Sequence, residues 1–364
     1  MTANGQESRR HHLVPRFYLD RWAINNRLRV TDLSTRRSFT AAPINALIET
    51  DYYRVPDGAV DGGSPVVWET WLSDLEGRAA KVFEAIDSDG LGSLDDTQWG
   101  HLLHFIGVQI TRSRSHRYQG RWMMGAGQYQ LWELHRPGAI EAMLTRAGEE
   151  PTPERVGQIE RYFAAAIADP WSVPMLAEQE MVMAIQGASV LAEVLSSRQF
   201  VLYSTAKPLL TGDEPVVQIY ERMGDDHPNG GGYFGAPVIV FPLGPHQALA
   251  MFRSNMPVPH GRELNAYETI ELNQVIAANA HRHIVEQPGG QLGTRLRVPD
   301  LKEPARIVNV PPANGEGAEL VWMPAQRRWH GEPDAPIRPV KSWWPVVVPP
   351  APRPPAGWRT EAAR

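Results

Sequence analysis

Apolar residues recur at helical spacing through the first half of the chain. Residues three and four apart share one face of an α-helix, so this spacing predicts helices that each bury one side. We expect Asp95 to cap the second of them, since a side-chain oxygen there can accept a hydrogen bond from a free backbone amide. The predicted helices cover residues 66–86, 94–115, 121–134, 153–168 and 174–196.

Other stretches have the alternating period of β-strands. Leu28 to Leu33 alternates, residues 34–37 have the composition of a turn, and Ser38 to Thr40 follow, which predicts a β-hairpin. Tyr52 to Val55 is a candidate short strand. A last long helix is predicted over 263–285. Before it, short apolar runs bounded by turn residues predict antiparallel strands over 199–204, 209–210, 216–220, 237–241 and 248–252.

These elements predict an α+β fold in one domain, residues 11–287. A predominantly helical bundle would pack on a small antiparallel sheet, with the N-terminal His-His segment against the last helix. Residues 1–10 are polar, and we expect a flexible tail without a signal peptide. Residues 288–364 are rich in Pro and Trp and predict an irregular appendage, because such chain favours polyproline II. Its tryptophans could fold part of it back onto the domain.

Composition excludes several classes of protein. The 364 residues are 42% hydrophobic and 21% charged, which is typical of a folded chain. Without cysteine there is no disulfide, thiolate nucleophile or cysteine-based metal site. No apolar run approaches the roughly 18 residues of a membrane span, so no membrane partner and a cytoplasmic location are expected. Nucleic acid is a candidate partner that the net charge of −5 does not support.

The densest set of chemically able side chains starts at His11 and reads His-His-Leu-Val-Pro-Arg-Phe-Tyr-Leu. Imidazole binds metals and transfers protons near neutral pH. His11 and His12 are therefore candidate catalytic residues and, with Asp213, candidate ligands of a divalent metal. Arg16 and Tyr18 are candidate substrate-binding residues. Neighbours on a strand point to opposite faces, so both histidines can bind one metal only from a loop; a structural histidine bonded to backbone is the alternative.

Two helical pairs carry further polar groups. Glu69 and Glu76 lie two turns apart on one face, where they could flank a metal or proton-transfer site or simply face solvent. Gln109 and Arg112 are at i and i+3, and a fixed guanidinium can bind an anion through two hydrogen bonds. Arg112 is thus a candidate catalytic anion clamp with Gln109 as a substrate contact, or a buried partner of Asp213 or Glu69.

Two further positions have unusual contexts. Asp213 follows an apolar run and precedes Glu214 and a proline, which is typical both of a turn and of a catalytic carboxylate at a strand end. Asn273 and Asn279 lie within the last predicted helix, although asparagine is a poor interior helix residue. Their amides are candidate substrate contacts, or they make packing hydrogen bonds.

Taken together, these segments resemble a bacterial family known as domain of unknown function 4238. The resemblance covers roughly residues 11–287 and implies a fold and a set of positions, but no reaction. At the position before Asp213, where the family pattern has serine, this chain has Gly212. The matching pieces are residues 11–19, 69–86, 105–112, 210–216, 241–246 and 263–283.

Two functional hypotheses follow. In the first, the protein is a metal-assisted hydrolase, a phosphodiesterase or nuclease, in which His11 or His12 with Asp213 binds metal or moves protons and Arg112 holds the anionic substrate. In the second, it is a non-catalytic binding or interaction protein. The same polar residues then form a buried structural network, and the C-terminal appendage recruits a protein partner.

Overall fold

The computed structural model describes residues 10–50, 52, 67–173, 177–220, 232–254, 256, 261–301, 328–329 and 332–335. The predicted tail over residues 1–10 lies outside this range except for Arg10, and the candidate strand at 52–55 does so except for Tyr52. Helices and mostly antiparallel sheets confirm the α+β prediction. No helix in the described ranges is both long and apolar enough to cross a lipid bilayer.

Helices dominate the part of the chain before residue 200. A π-helical turn, Met123–Gly127, joins the fourth helix to the fifth. In chain order the described helices are α1 (Arg16–Asp20), α2 (Val67–Asp89), α3 (Asp96–Thr111), α4 (Arg114–Trp122), α5 (Gln128–Leu131), α6 (Ala139–Arg146), α7 (Pro153–Ala168), α8 (Ala177–Ser196), α9 (Gly232–Gly235), α10 (Ala266–Asn279) and α11 (Leu292–Arg295).

The predicted helices are found, with two changes of boundary. The helix expected over 94–115 divides in two, because the Ser113 hydroxyl accepts the amide of His116 at 3.1 Å and so starts α4. Asp95 caps α3 as predicted, in a reciprocal capping box with Gln98. The helix expected over 121–134 is instead the end of α4, the π-helical turn and α5. The buried side chains of α2 are those that define its pattern: Leu72, Leu75, Ala79, Val82, Phe83 and Ile86.

The described strands form three sheets, where the sequence predicted one. Their orders are β1-β4, β10-β5-β9-β8-β7 and β3-β2-β11-β6, and every pair except β10 with β5 is antiparallel. The predicted hairpin is β2 with β3. The strands are β1 (Arg10–His12), β2 (Leu28–Asp32), β3 (Arg37–Ala41), β4 (Ile48–Thr50), β5 (Gln199–Thr205), β6 (Thr211–Gly212), β7 (Val217–Ile219), β8 (Val238–Gly244), β9 (Gln247–Phe252), β10 (Glu263–Leu264) and β11 (His283–Glu286).

The end of the last long helix differs most from the prediction. The helix was expected to reach residue 285, but α10 ends at Asn279 and the chain turns into β11 at His283. β11 then pairs on one side with β2 and on the other with β6. The predicted extension of this helix to residue 285 was wrong, because Asp213, a residue distant in the sequence, binds the amides of residues 281–283 and holds them in a turn.

The main core lies between the helices and one face of the five-stranded sheet. Tyr18 of α1 stacks on Phe241 of β8 at 5.2 Å between ring centroids, and Phe83 of α2 and Phe105 of α3 surround this pair. The helices α3 and α8 cross closely at Gly107, where an added Cβ would lie 2.5 Å from a backbone oxygen of α8. These contacts fix the C-terminal end of α3 relative to the sheets.

Described residues of the predicted C-terminal appendage pack on the domain. Val298 is buried, and so are Arg328, Trp329 and Ala335 further along. The helix α11 lies against β11 and β2. Trp329 is thus one tryptophan of this region that folds back.

Candidate functional site

Asp213 is built into the turn between α10 and β11. Its Oδ1 accepts the backbone amide of His281 at 2.8 Å, and its Oδ2 accepts the amides of Arg282 and His283 at 2.8 and 2.9 Å. The amide of Asp213 in turn donates to the carbonyl oxygen of His283. Both carboxylate oxygens of this candidate catalytic and metal-binding residue therefore serve to hold the turn.

Gly212 permits this close approach of two backbone segments. A Cβ at this position would lie 2.9 Å from the carbonyl oxygen of His283 and 3.0 Å from the Cβ of Ala280. A larger residue such as serine would require the turn to move away. In this chain the bonds of Asp213 bring the two segments together.

Glu214 lies next in the chain and reaches the N-terminus of α4. Its Oε1 accepts the backbone amide of Ser115 at 2.9 Å, while the side chain of Asn279 donates to its carbonyl oxygen at 2.7 Å. The pKa of the Glu214 carboxyl is raised to about 7, chiefly by burial and also by the neighbouring charge of Asp213, while the Ser115 hydrogen bonds and the charge of Arg328 oppose the rise. The side chain is half-buried and faces a cavity.

This polar cavity of about 430 Å³ lies between the N-terminal strands, the start of α4 and the α10–β11 turn. Two arginines in it remain partly open to solvent: 41% of the Arg114 side chain and 57% of the Arg282 side chain are exposed. Arg114 pairs with Glu49 at 2.6 Å and Arg282 with Asp32 at 2.8 Å. The lining residues are Leu13, Ser34, Glu49, Ser113, Arg114, Asp213, Glu214, His281 and Arg282.

The two histidines of the opening motif lie on β1. His11 pairs in register with Glu49 of β4, and its Nδ1 lies 3.0 Å from Oε1 of Glu69 at the start of α2. Because β1 directs neighbouring side chains to opposite faces, His11 and His12 do not converge on one metal. β1 pairs with β4, and His11 contacts α2 through Glu69. No group of three or more His, Asp or Glu side chains among the described residues is arranged to hold a metal ion.

Arg112 is buried in a network beside the cavity. Its guanidinium donates to Glu76 at 3.1 Å and to Gln109 at 2.9 Å, and its side chain is 1% exposed. Burial raises the pKa of Glu76, although the positive charge of Arg112 opposes the rise. The sequence predicts Asp213 or Glu69 as the buried partner of Arg112. The structure instead pairs Arg112 with Glu76. Arg114, two residues on, presents the guanidinium that reaches the cavity.

The remaining sequence candidates do not come together with the cavity side chains. Arg16 is exposed, with its Nε 3.5 Å from Asp20. The buried hydroxyl of Tyr18 donates to the carbonyl oxygen of Pro242 at 2.7 Å and lies 2.9 Å from the Thr211 hydroxyl. Asn273 bonds the backbone of Pro208 and Leu210. Tyr18, Asn273 and Asn279 thus support the segment that leads to Asp213 and Glu214.

Sequence reasoning missed most of the cavity side chains. The sequence marks Glu214 only by its place next to Asp213, and Arg114 only as one of the three arginines at positions 112, 114 and 117 near a helix end. His281 and Arg282 were assigned to a helix, which hid the turn that presents them. The sequence around Glu49 does not mark it as a site residue, because its partner Arg114 lies 65 residues away.

Comparison with known proteins gives a family without an assigned activity. The family model described as "Protein of unknown function (DUF4238)" matches residues 10–290, so the chain belongs to this family, as its sequence motifs predicted. No curated protein and no solved structure matches the chain. The match ends before Arg328 and Trp329.

Proposed function

We propose that this member of the DUF4238 family is a hydrolase whose active site is the cavity beside Glu214, with a phosphodiester as substrate. The observation that carries the proposal is the place of Glu214: a half-buried carboxyl group in the same cavity as two partly exposed arginine side chains. Glu214 transfers the proton, and Arg114 and Arg282 bind the anion.

The acid–base role follows from the environment of Glu214. A general acid or base works best when its pKa is close to the operating pH, and burial brings this carboxyl to about 7. As water attacks phosphorus, the Glu214 carboxylate accepts the water proton and a new P–O bond forms. The ester P–O bond then breaks, and the carboxylic acid gives its proton to the departing alkoxide, which restores the carboxylate.

The anion-binding role follows from the two arginines. A guanidinium can donate two parallel hydrogen bonds to a phosphate, and both side chains keep exposed surface for this purpose. The α4 helix begins at Arg114, so its N-terminal dipole also favours negative charge at this wall of the cavity. An anionic substrate would loosen the present pairs with Glu49 and Asp32.

The metal site predicted at His11, His12 and Asp213 does not suit the geometry of these residues. The oxygens of Asp213 are bonded to three amides, and His11 and His12 point apart. This set of residues does not fit a shared metal ion. His11 is buried and pairs with the partly exposed Glu69, and its strand pairs with the strand of Glu49.

Hydrolysis of bis(4-nitrophenyl) phosphate tests the proposal, with 4-nitrophenyl phosphate and 4-nitrophenyl acetate as comparison substrates. We expect diester turnover with a pH profile that bends near pH 7, and a loss of about 100-fold or more in Glu214→Gln. Glu84→Gln, at an exposed position of α2, is the matched control and should keep wild-type activity. Equal turnover in wild type and Glu214→Gln would refute the assignment of Glu214.

A specific observation also favours the second sequence hypothesis, a non-catalytic binding protein. Most of the predicted site residues take part in internal hydrogen bonds, among them Tyr18, Gln109, Arg112, Asp213, Asn273 and Asn279. In that case the cavity would bind an anion without converting it. Calorimetric binding of the diester with no turnover at any pH would favour this function over hydrolysis.

A further inference from the structure

Arg328 is a buried arginine whose three hydrogen bonds all go to backbone carbonyls. Its Nε donates to Ala280 at 3.1 Å, its Nη2 to His281 at 2.5 Å, and its Nη1 to Pro299 at 2.9 Å. Only 4% of the residue is exposed. Ala280 and His281 form the first half of the turn between α10 and β11, and His281 lines the cavity.

The same turn is held from its other side by Asp213. The carboxylate of Asp213 binds the amides of residues 281–283, while the guanidinium of Arg328 binds the carbonyls of residues 280–281. Two charged groups from distant parts of the chain therefore share one short turn. Because hydrogen bonds to ionised partners are stronger than neutral ones, the pair fixes the position of this turn.

The segment that carries Arg328 is itself held in place through Arg297. Trp329 is buried, and the guanidinium of Arg297 lies 5.3 Å from its ring centroid. Arg297 also pairs with Glu332 at 3.0 Å and with Asp334. These residues lie beyond position 290, where the family match ends.

We infer that Arg328 is a positioning residue of the cavity: it fixes the turn that presents His281 and Arg282 and that binds Asp213, so a segment outside the family domain completes the site. The geometry stands without the proposed function, on which only the catalytic consequence rests. Truncating the chain at the family boundary would then remove part of the support of the site.

Charge adds a second effect of Arg328. Its positive charge lowers the pKa of Glu214 and opposes the rise caused by burial and by Asp213. The other groups that face Glu214 are Ser115 on α4 and, across the cavity, Glu49, Arg114, His281 and Arg282. Loss of Arg328 should therefore shift the titration of Glu214 to higher pH.

Hydrogen exchange of the full chain, followed by mass spectrometry, tests the geometry. In Arg328→Ala we expect the amides of residues 281–283 to exchange roughly tenfold faster or more, because the turn opens more easily. Arg328→Lys keeps the positive charge but cannot make all three hydrogen bonds to the carbonyls. The amides of residues 281–283 should therefore exchange faster in this variant as well. Arg295→Ala removes an exposed arginine of the same region and should leave these amides unchanged.

The titration of Glu214 gives a readout that packing alone would not move. The pH at which the stability gap between wild type and Glu214→Gln stops widening follows the folded-state pKa of Glu214, so it should rise in the Arg328→Ala background and stay near its original value with Arg328→Lys. If Arg328→Ala does not fold, the exchange rates of residues 281–283 in Arg328→Lys test the positioning role instead.

Wild-type exchange at residues 281–283 in a folded Arg328 variant would overturn the inference. Neither readout uses turnover, so the two proposals fail separately. Faster exchange in a protein without diesterase activity would retain the positioning role and reject the hydrolase. Diesterase activity that depends on Glu214, together with unchanged exchange in the Arg328 variants, would support the hydrolase and reject the positioning role of Arg328.

Discussion

Replacement of Glu214 by glutamine should stabilise the protein at alkaline pH and not at acid pH. The folded protein holds the Glu214 pKa at about 7, against an ordinary value of 4.5. Between these values the folded state keeps a proton that the unfolded chain has lost, so wild-type stability falls as pH rises from 4.5 to 7 and is level above that. Glutamine has no proton to lose, and its Oε1 can still accept the Ser115 amide.

The size of the effect follows from the two pKa values. At about 1.4 kcal/mol for each tenfold change in an ionisation constant, the gap corresponds to about 3 kcal/mol. In urea unfolding, Glu214→Gln should therefore exceed wild type by about 3 kcal/mol at pH 8 and by less than about 0.5 kcal/mol at pH 4.5. In thermal unfolding at pH 8 the gain should be roughly 5 °C.

A matched control separates this effect from the loss of one negative charge. Glu84→Gln, at an exposed position of α2, should show the pH dependence of wild type. A stability difference between Glu214→Gln and wild type that stays constant from pH 4.5 to 8 would refute the raised pKa, and with it the argument that burial prepares this carboxyl for proton transfer.

Three other substitutions test the supports of the site by urea unfolding. Arg112→Ala should cost about 3 kcal/mol or more, because it leaves Glu76 without its buried partner; a cost below about 1 kcal/mol would contradict the pairing. Gly212→Ala should cost about 1–3 kcal/mol, since its Cβ would meet the carbonyl oxygen of His283, and an unchanged unfolding midpoint would contradict that contact. Asp95→Ala should cost about 1 kcal/mol through the lost cap of α3, with Asp95→Asn close to wild type as its control.

The sequence predicts those elements whose causes are local. The apolar side of α2, the hairpin of β2 and β3, and the cap at Asp95 each depend on residues within one element, and the structure has all three. The five-stranded sheet also contains four of the predicted strands, with small shifts at their ends. In these places periodicity and turn composition contain the necessary information.

The site depends on contacts that no local pattern contains. The helix prediction ran past Asn279 because Ile284 and Val285 continue an apolar rhythm, and neither glycine nor proline stops it before residue 286. What ends the helix is Asp213, through amides nearly seventy residues further along the chain. The prediction for Arg112 identified a buried arginine, but sequence spacing could not choose Glu76 among several acidic partners.

The order of the four-stranded sheet has a consequence for how the protein forms during synthesis. β2 emerges from the ribosome early, yet its second neighbour is β11, with Asp32 opposite His283. Until synthesis has passed residue 286, one side of the N-terminal hairpin has no strand to pair with. Pairing across so long a loop is slow, since the chain must lose loop entropy before the contacts compensate for it. The cavity is therefore among the last parts to assemble, and a nascent chain that stalls before β11 displays an open strand edge to its neighbours on the polysome.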